Sequence, residues 1–548
     1  MVTFKKTKLA AAIVAAGSAL LAGQAQAVFV NDGGLGQALI YPYYTVRGDN
    51  VTLLSVVNTT GQAKVVKVRF REGKNTSDVL DFNLFLSAYD VWTGGVFNAP
   101  DNGNGTGGAI LVTKDTSCTS PTADEAGNTF RTGIPFRTFD FPAPSSLAGA
   151  GATTVSPLND NGAGSTVDRV REGYIEIIEI GTIENDNDLG KDVTHDKGSA
   201  TVARTPSCKI AADLTRDQAN DEGYLSSPSG GLFGNVTYVN APLGGATSVD
   251  ATALDAFWPA GLAAQYTLAA DDLPNLGSAS PTSVVVNGPN VYISTWNNTG
   301  IGGGFKATTA VLMRDAIYNE YAYTNDRVYS TDWVVTMPSK RYFVNQQTTG
   351  SGGSLAYNPA LPPFQSPYRA TTGSCDTLMI NSYDREEGSS RTTSGFSPVR
   401  PGAAPNQLCW EANVIGFGKT TNAAEPSRVL GSTNNLWFAG YQNNGADVPT
   451  VGAAPQGEGG WAKLRFTPPT ALGSSTHLLV NNGANANTVF DGVSSVTTPF
   501  SVTYSGLPVV GFATTIANQG ARASYGTSVN HRYSRVITTG TGPVITPQ

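Results

Sequence analysis

Histidine is nearly missing from this sequence. Its 548 residues include three, at His195, His477 and His531, far apart along the chain. No H-E-x-x-H and no G-x-S-x-G occurs, which removes the commonest zinc-hydrolase and serine-hydrolase signatures. Cysteine is scarce too. Cys118, Cys208, Cys375 and Cys409 include no C-x-x-C, so neither a thioredoxin-like motif nor a zinc knuckle is present. Only 14% of residues are charged, and acids outnumber bases by 42 to 35. An acidic balance disfavours nucleic acid and anionic membranes as partners. After Val28 no apolar run approaches the roughly 18 residues of a transmembrane helix. No fixed-period repeat is visible, which disfavours propellers and solenoids.

What is present begins with an address. Lys5, Lys6 and Lys8 precede an apolar run from Leu9 to Ala22, and Ala25-Gln26-Ala27 follows as an A-x-A site. This is the pattern of a secretory signal peptide over residues 1–27, too short to span a membrane. Gln24 stands where a lipoprotein leader would carry cysteine. The C-terminal TTGTGPVITPQ has neither a hydrophobic tail nor the terminal aromatic usual in outer-membrane barrels. The expected product is exported, at the cell surface or extracellular, with the periplasm as the other address. Removing the leader takes three lysines and no acids. That leaves 32 bases (35 less three) against 42 acids, a net charge of −10. In an exported chain four cysteines suggest two disulfides. Pairing Cys118 with Cys208 and Cys375 with Cys409 keeps each bridge within one region.

The body reads as mainly β. In KVVKVRF, Val66, Val68 and Phe70 alternate with Lys67, Arg69 and Arg71. In VLDFNLFL, Leu80, Phe82, Leu84 and Leu86 share a face opposite Asp81 and Asn83. Such period-2 alternation predicts strands with one wet face. VTLLSVVN reads as an inner strand, NTTGQ and EGKN as turns, and Trp92 as the closure of the core. The fold expected is a set of antiparallel β-sandwich domains, immunoglobulin-like at the N-terminus, with long Gly/Asn-rich loops and few short helices. The expected divisions are 28–215, an N-terminal sandwich with long loop insertions; 216–345, mixed and mostly β; and 346–548, all-β. Helices are expected near Ile210–Glu222 and Asp250–Ala264.

Several of these stretches resemble a known group. ALIYPYYTV, TLLSVVNTT, KVVKVRFREGKNTSDVLDFNLFLSAYDVW, REGYIEIIEIG and TDWVVTMPSKRYFV are similar to an uncharacterised family of secreted proteobacterial cell surface proteins. The resemblance spans most of the mature chain. It implies a surface address and this architecture, and it carries no catalytic residues.

The one stretch dense in chemistry is REGYIEIIEIGTIENDNDLGKDVTHD, residues 171–196. Glu172 and Glu176 share parity on a predicted strand but lie roughly 13 Å apart along it. Glycosidase carboxylates sit about 5–9.5 Å apart. Glu184, Asp186, Asp188 and Asp192 are hard oxygen donors of the kind calcium takes. The EF-hand register fails, because Leu189 precedes Gly190 and no Glu closes the loop. A solvated acidic hairpin tip is the leading reading of this segment, and a calcium site is its alternative; no other cofactor is expected. VIGFGKTT resembles a P-loop but has Asn413 where the glycine belongs. GNGTGG, Gly103 to Gly108, sits in a low-complexity loop. The function expected is that of an exported, non-catalytic structural or interaction protein of the bacterial surface, in a layer or matrix. Its partners would be other surface proteins, glycans or further copies of itself. The alternative is a secreted glycan-binding protein or polysaccharide-acting hydrolase, with its site in long loops such as 98–165.

Overall fold

The computed structural model describes residues 26–100, 106–137, 166–195, 205–220, 223–264, 266–324, 326–344, 347–349, 355–357, 359–369, 372–385, 389–390, 407–418, 425–438, 459–466, 477–483, 487–491, 495–498, 500–518 and 524–540. Residues 1–25, all of 138–165 and residues 101–105, which include Gly103 and Gly105 of the glycine-rich stretch, lie outside these.

Two sheets form the first sandwich. The larger has eight strands. Its spine runs Phe29–Val30, Thr252–Asp255, Ala38–Thr45, Glu172–Ile183, Ala63–Glu72, Asp78–Leu86 and Thr119–Ser120, and Leu225–Ser226 adds to Glu172–Ile183. The smaller has six strands, with Asn50–Asn58 between Leu232–Asn240 and Val91–Ala99. Inward residues of both sheets, including Leu39, Val66, Val68, Phe82, Ile177 and Trp92, make one core. The strand Asn50–Asn58 is therefore internal, as VTLLSVVN implies, and Trp92 is fully buried. The rest of the described chain adds smaller antiparallel sheets, and one parallel pair joins Ala412–Phe417 to Asn435–Phe438. The architecture is mainly β.

Pairing crosses the boundaries drawn from the sequence. Strands 232–240, 245–250 and 252–255 complete the first sandwich although they follow residue 215. Strands Ala316–Ala322 and Tyr329–Thr336 pair with strands beyond residue 346. The helix expected over Asp250–Ala264 is not formed. Its first half is the strand Thr252–Asp255, paired to Ala38–Ile40. Two short helices, Lys209–Ala212 and Arg216–Asn220, occupy the other expected segment. Both disulfides join the predicted partners, Cys118–Cys208 and Cys375–Cys409.

The wet face expected on KVVKVRF is not wet: Lys67, Arg69 and Arg71 are each about 1% exposed. The eight-stranded sheet is covered on both sides. Val28, Ala38, Ile40, Tyr174, Ile178 and Leu254 on its second face join a core with residues 276–537. Beside them, segment 266–275 crosses the charged part of that face with its carbonyls turned inward. The Lys67 ammonium donates to the carbonyls of Leu268, Ala269 and Asp271 at 2.7, 2.8 and 3.0 Å. The Arg69 guanidinium donates to those of Asp271, Asp272 and Pro274. The Asn83 amide donates to that of Thr267. Cations thus replace water for a strap whose carbonyls would otherwise be orphaned.

Lys64 and Glu179 are both fully buried, with their charges 2.8 Å apart. Glu179 also accepts from the backbone N–H groups of Ser229 and Gly230. Removing one member of a buried pair leaves an uncompensated charge, at a cost of about 3–5 kcal/mol. Lys64→Met should lose about that much by denaturant unfolding. Adding Glu179→Gln should return part of it, because a neutral amide oxygen still accepts from the loop. A single variant as stable as the parent would show that the pair contributes nothing.

Candidate functional site

The acid-rich stretch is a structural element. Glu172, Glu176 and Glu179 lie on the Glu172–Ile183 strand and are buried to 1% or less. Arg47 pairs with Glu172 at 2.7 Å, Arg71 with Glu176 at 3.5 Å and Lys64 with Glu179. Tyr43 and Ser432 add hydroxyl donors to Glu172, each at 2.6 Å. Each acid lies among partners inside the fold, which suits welding rather than catalysis.

The tail of the stretch folds into the helix Asp188–Val193, capped by the Asn187 side chain at Gly190 N–H. The four acids singled out for calcium have separate surroundings. Asp192 accepts from the N–H groups of Lys209, Ile210 and Ala211 and so caps the next helix. Glu184 accepts from Gln62 and Ser226. Asp188 sits by Lys191 at the exposed surface. Asp186 lies in the turn before the helix. Among the described residues no group of three or more His, Cys, Asp or Glu converges as a metal set.

The three histidines also join separate segments. His195 meets the hydroxyls of Ser87 and Thr116, each at 3.2 Å, with Asp90 at 3.6 Å. His477, fully buried, has its ring nitrogens against the carbonyls of Pro363 and Thr377. Burial drives the His531 pKa down to about 4.

The arrangement with most chemical potential was not visible in the sequence. A bulge at Val79 shifts the register, so that Arg69 faces Asp81 and Arg71 faces Asp78. Without it, Asp78 and Asp81 would project to opposite faces. With it, both lie on the face of Arg69 and Arg71, whose positions are roughly 6–7 Å apart. The two acids line a cleft of about 430 Å³ with Asp124, Glu125, Phe130 and Arg137. Their environments differ. Burial would raise the Asp78 carboxyl, but Arg71 at 2.6 Å and Arg69 hold it below the usual range. For Asp81 burial wins over the more distant Lys67 and Arg69 and pushes the carboxyl up to about 6. Carboxyl groups driven apart in this way can divide base and acid roles.

No family model, curated protein or solved structure matches this chain.

Glu411 is a second perturbed acid. It is 1% exposed, and neither of its carboxyl oxygens has a well-formed hydrogen bond. Burial pushes its pKa up to about 8 against the pull of Lys340, Thr76 and Arg341. The folded chain therefore holds a proton there that the unfolded chain releases, and stability falls as pH rises from about 4.5 to 8. Glu411→Gln should match the parent near pH 4. It should gain on it progressively to pH 8, by up to about 4 kcal/mol at about 1.4 kcal/mol per pKa unit. Parallel stability curves for the two proteins would refute a buried neutral Glu411.

Proposed function

We propose that this is an exported bacterial surface protein that works by structure and interaction, after loss of a leader ending at Ala27. One observation carries the reading. Val28, the residue after the A-x-A site, is fully buried, and its N–H donates to the Thr282 carbonyl at 2.8 Å. Val284 N–H returns a bond to the Val28 carbonyl, and Phe29–Val30 pairs with Leu254 and Asp255. Among the described residues the fold engages the chain from within two residues of the cleavage point, since Ala27 is buried too and the Gln26 carbonyl accepts from the Ser280 hydroxyl. Two disulfides suit an oxidising compartment. The immunoglobulin-like kinship of the first sandwich, and assembly into a layer or matrix, belong to the same proposal. N-terminal sequencing after cell fractionation should find Val28 as the first residue, in the envelope or the medium. A soluble cytoplasmic product that keeps Met1 would end this reading.

The cleft favours a second reading, a polysaccharide-acting hydrolase. Asp81 would donate the proton to the glycosidic oxygen and Asp78 would act as the ionised partner. Reducing-sugar release should then decline above about pH 6, as Asp81 loses its proton. Asp81→Asn should lower it by about 100-fold or more. An activity indifferent to that substitution would place the chemistry elsewhere.

A further inference from the structure

The sheet containing Ala316–Ala322, Met379–Asp384, Gly459–Arg465 and Arg532–Ser534 has one face in the core, through Ile317, Ile380, Ala462 and Leu464. Its other face carries an ordered set of rings and cations. Strand register lays these out in rows. Tyr383 pairs with Trp461, which pairs with Glu320. In the next row Asn381, Lys463, Tyr318 and Arg532 lie side by side. Arg465 follows on the same parity, and Arg385 lies over Gly459 at the far end.

The rings form a ladder. Tyr383 stacks on Trp461 with centroids 4.5 Å apart, Trp461 on Tyr318 at 6.5 Å, and the Lys463 ammonium sits 5.0 Å from the Tyr318 centroid. Trp461 remains 41% exposed in spite of these contacts. A ladder that served only the sheet would add about 0.2–1 kcal/mol per cross-strand pair, and small or β-branched residues would expose less apolar surface. The charge on this face also runs against the rest of the chain. The molecule carries a net −7, yet among the described residues Arg385, Lys463, Arg465 and Arg532 share this face with one acid, Glu320, and Asp315 lies near Tyr318.

We propose that this face docks an anionic polysaccharide, a polymer of uronate-like sugars, with the cations taking its carboxylates and the ring ladder its C–H surfaces. The inference rests on the surface-protein reading and supplies its partner class. Charge complementarity selects the sign of the ligand, because among the described residues the cations of this face outnumber its acids on an otherwise acidic molecule. Lys463 and Arg532 flank Tyr318 across two interstrand spacings, about 10 Å, which suits spaced charges with apolar sugar surface between them. Guanidinium groups match carboxylates in bidentate geometry, and exposed rings contribute apolar contact at little entropic cost. Nucleic acid, with denser charge, would meet the repulsion of the whole molecule.

The test uses the full chain without its leader, with polygalacturonate as the probe, dextran as the uncharged control and single-stranded DNA as a polyanion that is not a glycan. Polygalacturonate should bind at low ionic strength and weaken as salt rises, while dextran should not bind. Lys463→Gln/Arg532→Gln should weaken binding at least ten-fold and flatten the salt dependence. Trp461→Ala should weaken it about ten-fold and leave the salt slope unchanged. Arg385→Gln/Arg532→Gln, at exposed positions, gives a charge-only variant that leaves the ladder intact and should weaken binding as well. Absence of polygalacturonate binding at low salt, or binding that the charge variants leave unchanged, overturns the proposal. So does DNA binding of equal strength that ignores Trp461→Ala, which would reveal a plain polyanion patch. An exported protein that fails these tests loses this inference alone, whereas one found in the cytoplasm loses the reading beneath it.

Discussion

Burial of the eight-stranded sheet on both faces is the constraint from which most of this structure follows. A sheet with one solvated face can leave its charges in water. This one carries Lys64, Lys67, Arg69, Arg71, Glu172, Glu176 and Glu179, all covered. Each had to find a partner inside, because an isolated buried charge costs far more than a fold of this kind can spare. Some partners are carboxylates on the neighbouring strand. Others are the backbone carbonyls of segment 266–275, which acquires its path over the sheet by accepting from Lys67, Arg69 and Asn83.

The same constraint explains why polar residues recur where the two halves of the chain meet. Arg341 donates to the carbonyls of Asn75 and Thr76, and Ser432 to Glu172. Thr336 donates to the Pro42 carbonyl, and Tyr174 to that of Pro338. Hydrogen bonds of this kind add little net stability but penalise any misfit, because a shifted partner leaves an unsatisfied buried group. They fix how the first sandwich seats on residues 276–537, while the apolar contacts of Val28, Ile40, Tyr174 and Ile178 supply most of the burial.

Much of this fold was legible because strands and their turns are local. Alternation placed Val66, Val68 and Phe70 inward, and the regional spacing of the four cysteines gave the right pairing. What alternation does not encode is the cover. KVVKVRF shows a charged face, but the chain that lies on it comes about 200 residues later and binds through carbonyls common to every residue. The bulge at Val79 leaves no mark in the sequence either: alternation sets Asp81 outward and says nothing that would join Asp78 to it. Residues 184–192 are ambiguous in sequence for another reason. Acids and asparagines in turn-like sequence suit a metal loop and a helix cap equally, and here Asn187 and Asp192 cap helices.

Burial also sorts the charges by what they can do. Glu172, Glu176 and Glu179 form the densest acidic strand in the sequence, and their partners tie them into the fold. Asp78 and Asp81 keep a side open to a cleft, at 27% and 21% exposure, while cations hold them from behind. Lys463, Arg532 and Arg385 have no carboxylate partner among the described residues and sit beside exposed rings. A charge already neutralised inside the protein has little left to offer a ligand, whereas one held in place and facing water retains most of its field. By that measure the charges left open to a ligand are those the sequence makes least conspicuous, a pair of aspartates three residues apart and a few bases scattered over strands that meet only in the folded sheet.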